Sequence, residues 1–479
     1  MLFFLFKMPS SIASVLLLAA LSAQEVGAER VVGAYIFSRH GDRTAKVLKN
    51  AQLTNLGYQE VFDTGSFYHS RYIASGSTKQ IEGISEIVVP NQISASTPSD
   101  AVLQNSATGF LQGVFPPAGN ASAQTLANGT SIQSPLNGTQ LIPLTLTSGN
   151  KNSEDSTWLQ GASNCQKATV SSNEYYSSDS YKQMLDSTSD FYKSLSPLLN
   201  ETFSASQLSF KNAYTIFDYL NVDRIHNKSS VVTDDQYLQL LTLASNQQYN
   251  LAYNSTDEVR AIEGAVLAGE ILAGLNDTVT SKGKTKLGVQ FGSYGTFFSF
   301  FGLAQLPTAS VNFTGIADYA STMVLELVTN VTDSGFPETK DISVRFMFHN
   351  GTITGSDDEP TVYPLYGQSK ELLPWADFVT ETEKIAVHND AQWCQMCGNT
   401  DGKCASSSSG SGSASASSTN GSGGISRAVA GVIGAMVTLA VILGLEALFF
   451  LVGGFRISKR RKAGSEMGTP SVTSEEKKF

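Results

Sequence analysis

Two periods of apolar spacing divide this chain. Short unbroken runs rich in β-branched and aromatic residues predict strands over 31–37, 86–96, 140–146, 287–292, 323–328 and 342–350. The last two are expected to pair antiparallel, with a turn around Asp333-Ser334-Gly335. Between the runs, spacing near 3.6 predicts helices over 54–72, 100–114, 181–199, 203–220 and 259–273, a short one over 297–303 and a last one over 373–386. Thr54 stands where it can cap the first of these, and Phe115-Pro116-Pro117 stops the second. From about Ser171 to Gly274 the pattern is mostly helical, which predicts a helical subdomain inserted into an α/β chain.

Two further apolar stretches lie outside that pattern. Near the start, Lys7 precedes the short run Ile12–Leu21, and small residues follow at Ser22-Ala23 and Val26-Gly27-Ala28. This is the layout of a secretory signal peptide, taken as 1–23, with cleavage after Ala23 or after Ala28. Near the end, Ala428–Phe455 is long enough to span a bilayer, and Arg456-Ile457-Ser458-Lys459-Arg460-Arg461-Lys462 follows at once on the cytoplasmic side. Glu446, the one charge in that span, is read as lying near its inner boundary. A Ser/Gly-rich linker over 405–425 separates the span from the rest, and 456–479 is a short tail. The expected topology is single-pass type I, with the large domain extracellular or lumenal on a cell or vacuolar membrane.

Composition agrees. Sequons stand at Asn120, Asn128, Asn137, Asn200, Asn227, Asn254, Asn276, Asn312, Asn330, Asn350 and Asn420, which predicts a glycoprotein with that whole stretch on the lumenal side. Charged residues make up only 15% of the 479, and the net charge of -10 argues against nucleic acid as a partner. Four cysteines, Cys165, Cys394, Cys397 and Cys404, in an oxidising compartment predict two disulfides, with three pairings open.

The chemistry concentrates at Ser38-Arg39-His40-Gly41-Asp42-Arg43-Thr44, directly after the first strand. In open α/β sheets ligands bind beyond the C-terminal ends of the strands. Arginine forks match phosphoryl oxygens, and a neutral imidazole between them is a nucleophile for phosphorus. The other histidines, His69, His226, His349 and His388, come with no sign of a paired acid in a cleft and are read as ordinary surface or half-buried residues. No cofactor and no metal site is implied.

Arg39-His40-Gly41-Asp42-Arg43-Thr44 resembles the signature of the histidine acid phosphatases, the second branch of the histidine phosphatase superfamily, which includes prostatic-type acid phosphatases and fungal phytases. Leu53-Thr54-Asn55-Leu56-Gly57, Phe115-Pro116-Pro117, Asn164-Cys165 and Trp393-Cys394 are similar in order and spacing. The resemblance covers roughly Arg30 to Cys404. It implies a phosphoglycerate-mutase-like α/β sandwich, with core parts at 29–150 and 284–404 and a helical cap at 151–283. It implies that His40 takes the phosphoryl group as a phosphohistidine while Arg39 and Arg43 hold its oxygens. It also implies the pairings Cys165–Cys394 and Cys397–Cys404.

The departures from the family pattern bear on activity. Ala45 follows Thr44 where the family has proline. Ser94 stands where another phosphate-binding arginine is expected. Tyr294 and Gly295 stand where the family carries a phosphate-binding histidine and the acid that protonates the leaving group. Asp42, Ser94 and Tyr294 are expected to wall the cleft. Losing a positioned acid costs about 10²–10⁴ in rate. Three readings follow: a membrane-anchored phosphomonoesterase acting through His40, a pseudophosphatase that binds a phosphorylated or anionic ligand, and a cell-surface structural glycoprotein.

Overall fold

The run Val31–Phe37 becomes the centre of an eight-stranded sheet. The structure, a computed structural model, describes residues 29–147, 164–355 and 357–405. In chain order the framing elements are β1 (Arg30–Arg39), α1 (Asn55–Tyr68), β2 (Ile93–Pro98), α2 (Ala101–Val114), β3 (Thr145–Thr147), α3 (Ala213–His226), α4 (Asp234–Ala252), α5 (Ile262–Thr280), β4 (Leu287–Gly292), α6 (Tyr294–Leu303), β5 (Thr322–Thr329), β6 (Ser343–His349), β7 (Thr361–Tyr363), β8 (Leu372–Pro374), α7 (Trp375–Glu383) and α8 (Asp390–Cys397). The sheet runs β8-β6-β5-β1-β4-β2-β3, with β7 added on β6. β1, β4, β2 and β3 are parallel. β5 and β6 form the expected antiparallel pair and extend the sheet from the other side of β1.

β1 is apolar throughout because both its faces are covered. Val32, Tyr35 and Phe37 pack with Leu267 and Ile271 of α5 and with Phe297 and Phe300 of α6. Val31, Ala34 and Ile36 pack on the opposite face with Val61 and Tyr68 of α1 and with Leu103 and Phe110 of α2. Burying each large side chain contributes about 1.5–3 kcal/mol, so the strand that ends at His40 is among the most firmly held in the molecule.

A third apolar cluster forms the cap. Tyr175, Tyr181, Tyr192, Phe210, Phe217 and Leu240 pack together and onto Tyr294 and Phe298 of α6. The expected boundary at 283 needs correcting, because α5 buries Leu267, Ile271 and Leu275 in the sheet core and the cap helices end with α4. The helix expected over 181–199 is three short pieces, Asp179–Ser187, Ser189–Ser194 and Ser196–Leu199, broken at Thr188 and Leu195. The strand expected from 86 begins only at Ile93, because Pro90 and Asn91 lie in a turn. The pattern gave no sign of α8, which is short and is started by the Asn389 side chain accepting from Gln392 N at 3.0 Å.

The disulfides are Cys165–Cys397 and Cys394–Cys404, which corrects the implied pairing. Cys394 and Cys397 lie one turn apart on α8. The end of α8 meets the start of the helix Gln166–Glu174, whose N-cap is Cys165, at a Cα separation of 4.7 Å. Gly398 then turns the chain in the left-handed region, so Cys404 returns to Cys394. On the chain-entropy account the first bridge constrains the unfolded chain by about 5 kcal/mol and the second by about 3.

All described sequon asparagines reach the surface, Asn254 being half-buried and the others exposed. The signal peptide, the linker, Asn420, the apolar stretch with Glu446 and the basic tail lie outside the described residues. Among the described residues no helix is long and apolar enough to cross a membrane.

Candidate active site

The signature loop is shaped by two glycines. A Cβ at Gly41 would lie 2.1 Å from the Gly57 carbonyl oxygen, and one at Gly57 would lie 2.0 Å from the Asp42 carbonyl oxygen. The loop and the first turn of α1 therefore touch through bare backbone. Thr54 caps α1 as expected, its Oγ1 accepting from Gly57 N at 3.0 Å, while its own N–H donates to Asp42 O at 3.0 Å. The two sequence segments that carry the resemblance are thus one packed unit.

His40 sits at the end of β1 and is fully buried. Its Nδ1 lies 2.8 Å from the Gly41 carbonyl oxygen. A carbonyl only accepts, so Nδ1 carries the proton and Nε2 carries the lone pair. That is the tautomer a nucleophilic imidazole needs. The Tyr319 ring lies beside it, with centroids 5.7 Å apart.

Arg39 is 4% exposed. Its guanidinium donates to Ala317 O and lies 4.5 Å from the Tyr319 ring centroid and 5.4 Å from that of Tyr294. Its Nε is buried and makes no hydrogen bond among the described residues. With Tyr214, Asp218, Tyr237, Asp318 and Tyr319 it lines a cavity of about 60 Å³ between β1 and the cap.

Arg43 is held differently. It pairs with Asp218 of α3, Nη2 to Oδ1 at 2.9 Å and Nη1 to Oδ2 at 3.3 Å, with both side chains nearly excluded from solvent. It also donates to Tyr214 Oη at 3.1 Å and to Thr44 O at 3.0 Å. Four of its five donors are therefore engaged inside the protein. Asp218 further accepts the Lys46 backbone N–H at 2.8 Å, and the Lys46 ammonium lies 5.8 Å from the Tyr214 ring and 5.9 Å from the Tyr294 ring. Lys46 thus adds another cation beside the Tyr214 and Tyr294 rings.

Asp42 is fully buried and faces the cap. Its Oδ2 accepts from Thr54 Oγ1 at 2.5 Å and meets His226 Nε2 at 2.6 Å. His226 is exposed, as a surface histidine is, but it does not lack an acid: α3 ends above the signature and delivers it to the Asp42 carboxylate. The Asp42 N–H donates to Glu60 Oε2 at 2.7 Å. Burial raises the Glu60 pKa from 4.5 to about 7, and the neighbouring Asp42 and Asp318 carboxylates add to the rise against the Asp42 N–H and Arg39. Burial pushes the Tyr319 hydroxyl far above its ordinary value.

Tyr294 opens α6 and lies against Arg39, its ring tilted against that of Tyr214 with centroids 4.6 Å apart and its hydroxyl donating to Gln248 Oε1 at 3.1 Å. Ser94 does not belong to the site. It pairs with Gly288, four residues before Gly292, the partner of Arg39. That places it roughly 13 Å back along the sheet, at about 3.3 Å per residue, and it is exposed. The end of β2 that faces the signature is Thr97-Pro98, not Ser94. The remaining histidines bind elsewhere: His69 to Val114 O, His349 to Asp358 and His388 to Glu383. Asp218, Lys46, Glu60 and Tyr319 were not singled out in the sequence, because their role depends on the cap and on the loop before β5 folding back over β1.

A family model described as "Histidine phosphatase superfamily (branch 2)" matches residues 47–349, more than half of the chain, starting just past Arg43. The fold is similar to that of the phytase from Citrobacter braakii, with 14% identity, a TM-score of 0.52, and coverage of 77% of this chain and 99% of that one. It is also similar to the apo phytase of Hafnia alvei, with 12% identity, a TM-score of 0.50, and coverage of 77% and 98%. No curated protein matches the chain in sequence.

Proposed function

Because the chain belongs to the histidine phosphatase superfamily (branch 2), we propose that it is a phosphomonoester hydrolase that works through a phosphohistidine on His40. The observation that carries this reading is the Nδ1 contact to Gly41 O at 2.8 Å, which leaves the Nε2 lone pair for phosphorus. Arg39, whose guanidinium donates only to Ala317 O among the described residues, is the principal holder of the phosphoryl oxygens. Lys46 adds charge at the rim. Arg43, clamped by Asp218, acts mainly by shaping the loop. The ligand is a phosphorylated or otherwise anionic small molecule. The protein would be a glycosylated type I membrane protein of the secretory pathway, with this site outside the cytoplasm, a reading supported by the sequons, the N-terminal apolar run and the basic tail after 455.

The test is turnover by the full-length chain. An aryl phosphate should be hydrolysed at acid pH, and His40→Ala should abolish it. Equal rates in wild type and variant would end the reading.

The Arg43–Asp218 pair favours a second reading. An arginine neutralised by a buried carboxylate contributes less to a transferring phosphoryl group, which suits a pseudophosphatase. In that case inorganic phosphate raises the melting temperature of the wild type while no phosphomonoester is turned over.

A further inference from the structure

Breaking a phosphate ester of an alcohol needs a proton on the departing oxygen, because an alkoxide is a poor leaving group. The carboxyl groups packed around the signature are mostly committed. Asp218 is paired with Arg43. Asp42 is shared between Thr54 and His226. Asp318 accepts the Tyr319 N–H at 2.8 Å. Glu60 holds the Asp42 N–H from the α1 side of the loop.

Glu263 enters from the opposite side. It lies in the first turn of α5, which packs against α6 and β1 on the sheet face away from α1. β4 ends at Gly292, in register with Arg39, and the chain then starts α6 beside the signature. Glu263 reaches that first turn, where its Oε2 accepts from Thr296 Oγ1 at 3.3 Å. Thr296 is fully buried, so the carboxyl is held by a fixed partner. The turn is also open at one position: a Cβ at Gly295 would lie 3.3 Å from the same Oε2, its nearest neighbour. Tyr294, one residue before, touches Arg39. The glycine thus leaves room for a carboxyl that arrives from α5 beside the residue that follows Tyr294.

We propose that Glu263 is the proton donor to the leaving oxygen, an assignment that rests on the hydrolase reading above. In the first step the His40 Nε2 lone pair forms the N–P bond. The ester P–O bond breaks with its electron pair on oxygen, and the Glu263 carboxylic proton goes to that oxygen to give the free alcohol. In the second step water attacks phosphorus, the P–N bond returns its electrons to Nε2, the proton that water loses passes to a phosphoryl oxygen, and the Glu263 carboxylate regains its proton from solvent once alcohol and phosphate have left. Atoms and charges balance with water as the only co-reactant.

The experiment compares two esters with the full-length chain: p-nitrophenyl phosphate, whose phenolate leaves unaided, and glycerol 2-phosphate, whose alkoxide does not. Glu263→Gln should lower kcat on glycerol 2-phosphate by about 10²-fold or more and leave p-nitrophenyl phosphate within about threefold. The retained p-nitrophenyl activity is itself the evidence that the variant folds. Glu60→Gln should lower both by similar small factors. An equal loss on both esters in Glu263→Gln, no loss on either, or a leaving-group-dependent loss in Glu60→Gln instead would overturn the assignment while leaving the phosphohistidine reading standing. A wild type that turns over neither ester, or a His40→Ala variant as fast as wild type, would overturn the hydrolase reading and the assignment with it.

Discussion

Glu60 makes stability depend on pH in a direction opposite to most carboxylates. Its carboxyl titrates near 4.5 when exposed and at about 7 in the fold, chiefly because it is buried against the signature loop. Between those values the folded chain holds a proton that the unfolded chain has released, so stability falls as pH rises from about 4.5 and levels off above about 7. At about 1.4 kcal/mol per pH unit the full cost is about 3.5 kcal/mol, and water reaching a half-buried carboxyl reduces it to about 1–3. Glu60→Gln keeps an oxygen to accept the Asp42 N–H and removes the charge. The variant should match wild type at pH 4.5 and exceed it by about 1–3 kcal/mol at pH 8, a melting-temperature gain of roughly a few degrees. Scanning fluorimetry of both proteins at pH 4.5, 6 and 8 reads this directly. A gap that stays constant across pH, or a variant that is the less stable one at pH 8, would refute the reasoning.

Asp218→Ala strands the buried Arg43 and should cost about 3–5 kcal/mol, most of it recovered by replacing both residues with apolar ones, as urea melts of the two variants will tell. Gly57→Ala pushes a methyl into the Asp42 carbonyl and should prevent accumulation of folded protein, seen as loss of the full-length band on an immunoblot. Ser94→Ala should leave turnover unchanged and stability within about 0.5 kcal/mol, since the residue is exposed and remote from His40. Non-reducing proteolysis and mass spectrometry should recover Cys165 linked to Cys397 and Cys394 linked to Cys404, and any other linkage would contradict the packing of α8.

Much of the fold was legible because strands buried on both faces leave long apolar runs. Val31–Phe37 and Leu287–Gly292 are such runs, and they neighbour each other in the sheet. The signature announced His40 and Arg39 because charges directly after a buried strand have few other uses. The rest was hidden for physical reasons. Ser94 was placed by the family pattern near the end of a strand expected over 86–96, but the turn at Pro90 and Asn91 delays that strand, so Ser94 falls near its start instead. Asp218 and His226 lie 175 or more residues from Arg43 and Asp42, the signature residues they touch, and only the return of α3 brings them there. The disulfide pairing turned on the helical turn between Cys394 and Cys397, which a resemblance in spacing does not encode.

The central claim is that His40 carries the phosphoryl group, and trapping it tests that claim most directly. Full-length protein is mixed with p-nitrophenyl phosphate, quenched in alkali to preserve the acid-labile phosphohistidine, and digested for mass spectrometry. The account predicts phosphate on His40, attached at Nε2 because Nδ1 is bound to Gly41 O, and none in His40→Ala. Steady release of nitrophenol with no phosphate on His40, or with phosphate at Nδ1, would contradict it.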